Sequence, residues 1–156
     1  MRTGVFASLA TVSLAAVLLA TPAGAVRMIT NDETPTAAFE EAVAMIDAER
    51  YDDAIALLEG ASALEPNSAD VWNLLGFAYR KSGRNDEAFT VYNKALLLNP
   101  DHVGANEYLG ELYLQVGDLE KAKAQLRILE DLCSGGDCPE VEQLKAAIAA
   151  HQAGKD

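Results

Sequence analysis

Residues 69–102 read ADVWNLLGFAYRKSGRNDEAFTVYNKALLLNPDH. Trp72, Leu75, Gly76 and Tyr79 recur at the spacing of one helical face, and Ala88, Tyr92 and Ala95 do the same further on. Two amphipathic helices with a break between them account for that pattern. Gly83 suits the break, because a tight turn after a helix needs a residue that accepts positive φ. Pro100 ends the second helix, since it lacks an N–H and restricts the residue before it.

The same punctuation recurs at intervals of 34 residues on either side. Ala54, Ala88 and Ala122 are so spaced, as are Leu64, Leu98 and Leu132. Pro66 pairs with Pro100, Leu75 with Leu109, Gly76 with Gly110, Tyr79 with Tyr113 and Gly83 with Gly117. The periodicity predicts helices over 36–48, 52–64, 70–82, 86–98, 104–116 and 120–132. Asn67 and Asp101 stand at matching places where they can help cap the helices that follow. Gly76 and Gly110 each cost about 1 kcal/mol against Ala inside a helix. The expected return is that the second helix of each pair approaches closely at the missing Cβ, with Ala54, Ala88 and Ala122 at the same crossing.

Trp72, Leu75, Gly76, Tyr79, Gly83, Ala88, Tyr92, Ala95 and Pro100 together resemble the tetratricopeptide repeat, a helix–turn–helix unit of 34 residues. Tyr92 stands where that pattern usually has Phe. The unit at 103–137 keeps Leu109, Gly110, Tyr113 and Ala122 but has Asn106 for Trp and Leu126 for the aromatic. The unit at 35–68 keeps Ala54, Leu58, Ala61 and Pro66, with Ala38, Glu41, Ala42 and Met45 at the signature positions of its first helix. The resemblance implies an all-α, right-handed superhelical solenoid. Its parts would be repeats at 35–68, 69–102 and 103–137, then a capping helix within 138–156.

That cap is expected over 139–152. Pro139 fits a first turn, Glu140 and Glu142 suit the positive end of the helix, and Lys145 and His151 lie further along. Val141, Leu144 and Ile148 make one apolar stripe for the exposed face of the last repeat. Cys133 and Cys138 flank Ser134-Gly135-Gly136-Asp137. In an oxidising compartment two cysteines this close favour a disulfide, and closing so short a loop is worth roughly 2 kcal/mol by the entropy model. A redox-active pair and a metal site, with His102 or His151 as further ligands, are the competing readings. The spacing matches neither C-x-x-C exchange catalysts nor a recognised zinc pattern.

The beginning of the chain reads as an export signal. Met1-Arg2, an apolar run over Val5 to Ala20, and Ala23-Gly24-Ala25 are the charged, apolar and small-residue parts of a secretory signal peptide. Cleavage is expected after Ala25, with 26–34 a flexible lead-in and the periplasm as destination. No membrane insertion is expected after cleavage. The formal charge is −12 with 24 acidic and 12 basic side chains, which disfavours nucleic acid as a partner. Half of the residues are apolar, too many for a disordered chain.

The chain also resembles exported bacterial proteins that carry about three such repeats, a stretch like Glu107-Tyr108-Leu109-Gly110-Glu111-Leu112-Tyr113, and a Cys pair before a last helix. That likeness implies a periplasmic interaction protein without known catalytic residues. In such repeats the first helices line a concave groove. The family pattern points Phe39, Val43, Asn73, Phe77, Arg80, Lys81, Glu107 and Glu111 into it, with Tyr108 within reach. Some members of the family hold a partner's terminal carboxylate with a ring of Lys, Arg and Asn. The matching positions here are Phe39, Val43, Leu74, Gly104 and Tyr108, so a different mode is expected. Phe39 and Phe77 would anchor an apolar residue, Arg80 or Lys81 an acidic group, and Glu107 or Glu111 a basic one. Phe39 and Phe77 can equally be packing residues.

No phosphate-binding loop, dinucleotide fingerprint or metal-binding helix motif is present, and His102 and His151 read as solvated bystanders. The expectation is a non-enzymatic adaptor or assembly factor without cofactor or metal. It would bind a protein or peptide segment, as a monomer or weak homo-oligomer. A periplasmic redox or metal-handling protein using Cys133 and Cys138 is the alternative.

Overall fold

The structure, a computed structural model, describes residues 35–134 and 136–154. The expected signal peptide and lead-in lie outside them. Seven helices are present among the described residues: α1 (Pro35–Asp47), α2 (Tyr51–Leu64), α3 (Ala69–Lys81), α4 (Asn85–Leu98), α5 (Val103–Gln115), α6 (Leu119–Leu132) and α7 (Pro139–Ala153). Each of the first six begins and ends one residue earlier than the period predicts, or begins earlier and ends as predicted. Sequentially adjacent helices pack as hairpins α1/α2, α3/α4 and α5/α6. The hairpins stack, because α1 also touches α3, α3 touches α5 and α5 touches α7. These four helices form one wall of a solenoid, with α2, α4 and α6 behind it.

The three hairpin turns are built alike. In each, two amides close back on the helix: Glu49 and Arg50 donate to Ile46 and Met45, Gly83 and Arg84 to Arg80 and Tyr79, Gly117 and Asp118 to Leu114 and Tyr113. This is the paired 5→2 and 6→1 pattern of a Schellman turn, which needs a left-handed residue just past the helix. Gly83 and Gly117 supply it at φ 81° and 85°. Glu49 occupies the same place in the first hairpin at φ 57°, a conformation unfavourable for a side-chain-bearing residue.

Between repeats, the helix starts differ from expectation. Ser68 Oγ accepts the Val71 N–H at 3.3 Å, and His102 Nδ1 accepts the Ala105 N–H at 3.2 Å. The caps are therefore Ser68 and His102, not Asn67 and Asp101, because α3 and α5 start at Ala69 and Val103. Asn106, which replaces the signature Trp, keeps that residue's polar role. Trp72 Nε1–H donates to the Pro66 carbonyl at 2.9 Å, and Asn106 Nδ2–H donates to the equivalent Pro100 carbonyl at 3.1 Å.

The core falls into two clusters, one spanning α1 to α5 and one joining α5, α6 and α7, with half-buried Tyr113 packed against both. Ala54, Ala88 and Ala122 are fully buried, as are Leu58, Tyr92, Leu112, Leu129 and Leu144. A Cβ on Gly76 would lie 2.6 Å from the Tyr92 ring of α4, so the glycine admits the second helix of its own pair, as expected. Gly110 differs. Its Cβ would lie 2.6 Å from Leu144 Cδ2, with Gln125 Cβ of α6 next at 3.3 Å. The closest approach comes from α7 and not from the partner helix. Val141, Leu144 and Ile148 are buried against α5 and α6, so α7 closes the end of the stack with the stripe read from the sequence.

Candidate functional site

The inner wall carries the residues assigned to the groove, and their surroundings separate them. Phe39 is half-buried and packs on the main core. Val43 is exposed. Phe77 is half-buried, and its ring meets Tyr108 of the next repeat with centroids 5.0 Å apart. Tyr108 in turn lies 6.4 Å from the Tyr92 ring beneath. Asn73 is half-buried with Oδ1 unpartnered. Lys81 is exposed, with Nζ about 6 Å from the rings of both Tyr51 and Phe77.

Arg80 and Glu111 were expected to grip opposite charges on a partner, but they grip each other. Arg80 Nη2 lies 2.6 Å from Glu111 Oε2, with the Arg80 side chain only 11% exposed. The guanidinium also sits 5.3 Å from the Phe77 centroid and 5.6 Å from that of Tyr108, within the range of cation–π attraction. One arginine thus ties α3 to α5 through the Glu111 carboxylate and the Tyr108 ring. The pairing follows from stacking: α3 and α5 run side by side, one repeat apart.

Glu107 departs furthest from its expected role. It is 2% exposed and has no hydrogen bond or ion pair among the described residues. It therefore cannot present a carboxylate freely to the groove. Burial, then the nearby charges of Glu111 and Glu140, push its carboxyl up to about 7, while Arg80 acts in the opposite direction. Desolvation disfavours the charged form, and like charges add to the effect. Burial, with Glu107 and Glu111 nearby, also raises the Tyr108 phenol above its ordinary value.

A cleft of about 320 Å³ opens beside the Arg80–Glu111 pair, lined by Arg80, Glu111, Leu114, Gln115, Ala147 and His151. Sequence reading missed His151 as a lining residue, because nothing in the local pattern says how far α7 overlaps α5. His102 is not a bystander either. Its side chain is 13% exposed, it caps α5, and its Nε2 lies 3.1 Å from Asp70 Oδ1 of the preceding repeat. With Nδ1 accepting an amide, Nε2 carries the proton and donates it to Asp70.

Cys133 and Cys138 stand at disulfide distance, with Cα atoms 5.8 Å apart, between the end of α6 and the start of α7. Lys145 of α7 adds an ion pair to Glu130 of α6 at 3.1 Å. Among the described residues, no cluster of His, Cys, Asp and Glu is arranged to hold a metal ion. None of the described helices is long and apolar enough to cross a membrane.

Comparison with known proteins places this geometry. The family model for the tetratricopeptide repeat matches residues 45–97 and 79–148. The peroxisomal targeting signal receptor of Candida albicans is 35% identical over 78 residues, which are 50% of this chain and 13% of that protein. The chain thus spans only a small part of this curated relative. Among solved structures, the Yersinia enterocolitica type III secretion chaperone SycD, in complex with a peptide of the translocator YopD, superposes with a TM-score of 0.66 at 18% identity. It covers 81% of this chain and 100% of that one. PcrH of Pseudomonas aeruginosa, in complex with the chaperone-binding region of PopD, gives a TM-score of 0.69 at 20% identity, covering 83% of this chain and 100% of that one. At these identities the structures share the fold.

Proposed function

The chain belongs to the tetratricopeptide repeat family, and we propose that it is a non-enzymatic protein-interaction module that holds a segment of another polypeptide against the wall formed by α1, α3, α5 and α7. The observation that carries the reading is the Phe77–Tyr108 pair. Two half-buried aromatic rings from successive repeats meet on this wall with Val43 exposed along it. Aromatic side chains at the centre of such a surface supply most of the binding energy in protein interfaces. The SycD and PcrH complexes named above hold peptide segments on the same fold, which supports the reading. The apparent signal peptide at 1–25 makes the periplasm the proposed site of action, as an adaptor or assembly factor. In that compartment the Cys133–Cys138 pair would serve as a covalent fastening for α7.

Replacing Phe77 by a photo-crosslinking phenylalanine analogue in the exported protein tests this. Crosslinks to a periplasmic protein, lost when the analogue is moved to exposed Leu97 on α4, are the expected result. Phe77→Ala should weaken binding of the captured partner by about 10-fold or more, as loss of an aromatic anchor does, with little change in melting temperature. A large fall in melting temperature would mark Phe77 as core, and equal crosslinking from both positions would show that the inner wall is not the binding surface.

A further inference from the structure

We infer that the cleft between α3, α5 and α7 receives one cationic side chain, Arg or Lys, of the segment held on the inner wall. This rests on the reading of that wall as a peptide-binding surface. The cleft's one formal positive charge belongs to Arg80, and it is already committed. Glu111 holds it at 2.6 Å, and the Phe77 and Tyr108 rings flank it. An acidic partner residue would have to compete with Glu111 for it.

Apart from the buried Nε–H of Arg80, which has no partner, what remains open in the cleft is acceptors. Glu111 is 27% exposed at the rim. Gln115 turns its amide nitrogen to Asn85 Oδ1 at 3.0 Å, which leaves its carbonyl oxygen unused by that bond. The Nε2 of His151 is buried without a partner, and in a neutral imidazole protonated on Nδ1 it accepts. Guanidinium and ammonium groups have donors only, so they complement this wall. Leu114 and Ala147 give the aliphatic stem of Arg or Lys an apolar side to lie against.

The field points the same way. Glu111 lines the cleft, the Glu140 charge is felt nearby at Glu107, and the chain carries a formal charge of −12. Such an imbalance raises the local concentration of cations and repels acidic segments.

The experiment is selection of random peptides displayed on phage, using the purified exported protein with counter-selection on its Phe77→Ala variant. Enriched peptides should carry Lys or Arg several-fold above the input library. In the best binder, exchanging the basic residue for Glu should weaken binding by at least about 10-fold, and added salt should weaken it too. Glu111→Gln, checked for an unchanged circular dichroism spectrum, should erase that discrimination, because it removes an acceptor and frees Arg80. Should Glu111→Gln not fold, His151→Ala provides the second variant and should reduce the preference in the same direction. Peptides enriched in Asp or Glu, or a basic preference untouched by both variants, would overturn the inference while leaving the wall as a binding surface. Failure to enrich any peptide would instead sink the binding reading itself.

Discussion

In the second hairpin the space over Gly76 is filled by Tyr92, from the helix that completes the same hairpin. In the third, Leu126 takes the tyrosine's place in the sequence, and the space over Gly110 is filled by Leu144 of α7. The second hairpin finishes its own packing, whereas the third is finished by a helix that belongs to no repeat. The polar details run the other way. Asn106 reproduces the bond that Trp72 makes to a proline carbonyl, and His102 reproduces the cap of Ser68. Repeats therefore conserve hydrogen-bond geometry while exchanging the residues that supply it. Apolar volume is free to be supplied from elsewhere in the stack.

The largest test of that contrast is Leu144→Ala. It should cost about 3 kcal/mol in urea unfolding, as loss of a fully buried leucine does. Adding Gly110→Ala should then cost little or nothing, since the clash is gone, giving a coupling of about 1 kcal/mol in the double-mutant cycle. If the two changes were simply additive, α7 would not be completing the third hairpin.

Acidity probes the same junction through Glu107. Its carboxyl holds a proton up to about 7 in the fold, against an ordinary value of 4.5. The folded state thus binds more protons than the unfolded one between those values, and its extra stability is whole below 4.5 and lost as pH rises through 7. The change amounts to at most about 3 kcal/mol. Glu107→Gln should flatten this slope and leave the variant more stable than the parent above pH 7, as thermal melts across the range would show. An unaltered slope would mean that Glu107 is not the group responsible.

Gly76→Ala should destabilise by about 2 kcal/mol, because the new methyl meets a buried ring. Gly110→Ala alone should cost about 1 kcal/mol or less. The clash there is with the flexible end of a leucine, and improved helix propensity offsets part of it. Equal losses would erase the distinction between the hairpins. The smallest effect concerns the first turn, where Glu49→Gly should stabilise by up to about 1 kcal/mol through relief of a left-handed backbone. The corresponding Gly83→Ala should destabilise by a similar amount, and denaturant midpoints with unchanged slopes would report both.

The fold was legible because its information is local and repeated. A 34-residue period, glycines in two turns and prolines between units locate the first six helices to within a residue, and Pro139 with its apolar stripe does the same for α7. The site was legible only in part. Which residues face the inner wall follows from position within a repeat, so Phe77 and Tyr108 could be named. That Arg80 is neutralised by Glu111, that Glu107 is buried, and that His151 borders a cleft all depend on how neighbouring helices overlap. Helix overlap is set by the fit of side chains such as Leu144 against Gly110, which periodicity does not encode. His102 was misread for a related reason: its cap depends on where α5 starts, and that differs by one residue from the predicted boundary.

The three Schellman turns close with the same pairs of amide and carbonyl positions, whether Glu49, Gly83 or Gly117 stands at the left-handed corner. The joint is therefore a standard part, indifferent to what the adjoining helices display. Lengthening this molecule means duplicating a unit between existing joints, with each added unit extending the inner surface by one more helix. Reach can then change by copy number while recognition changes by substitution on one helix face, so the two can vary independently.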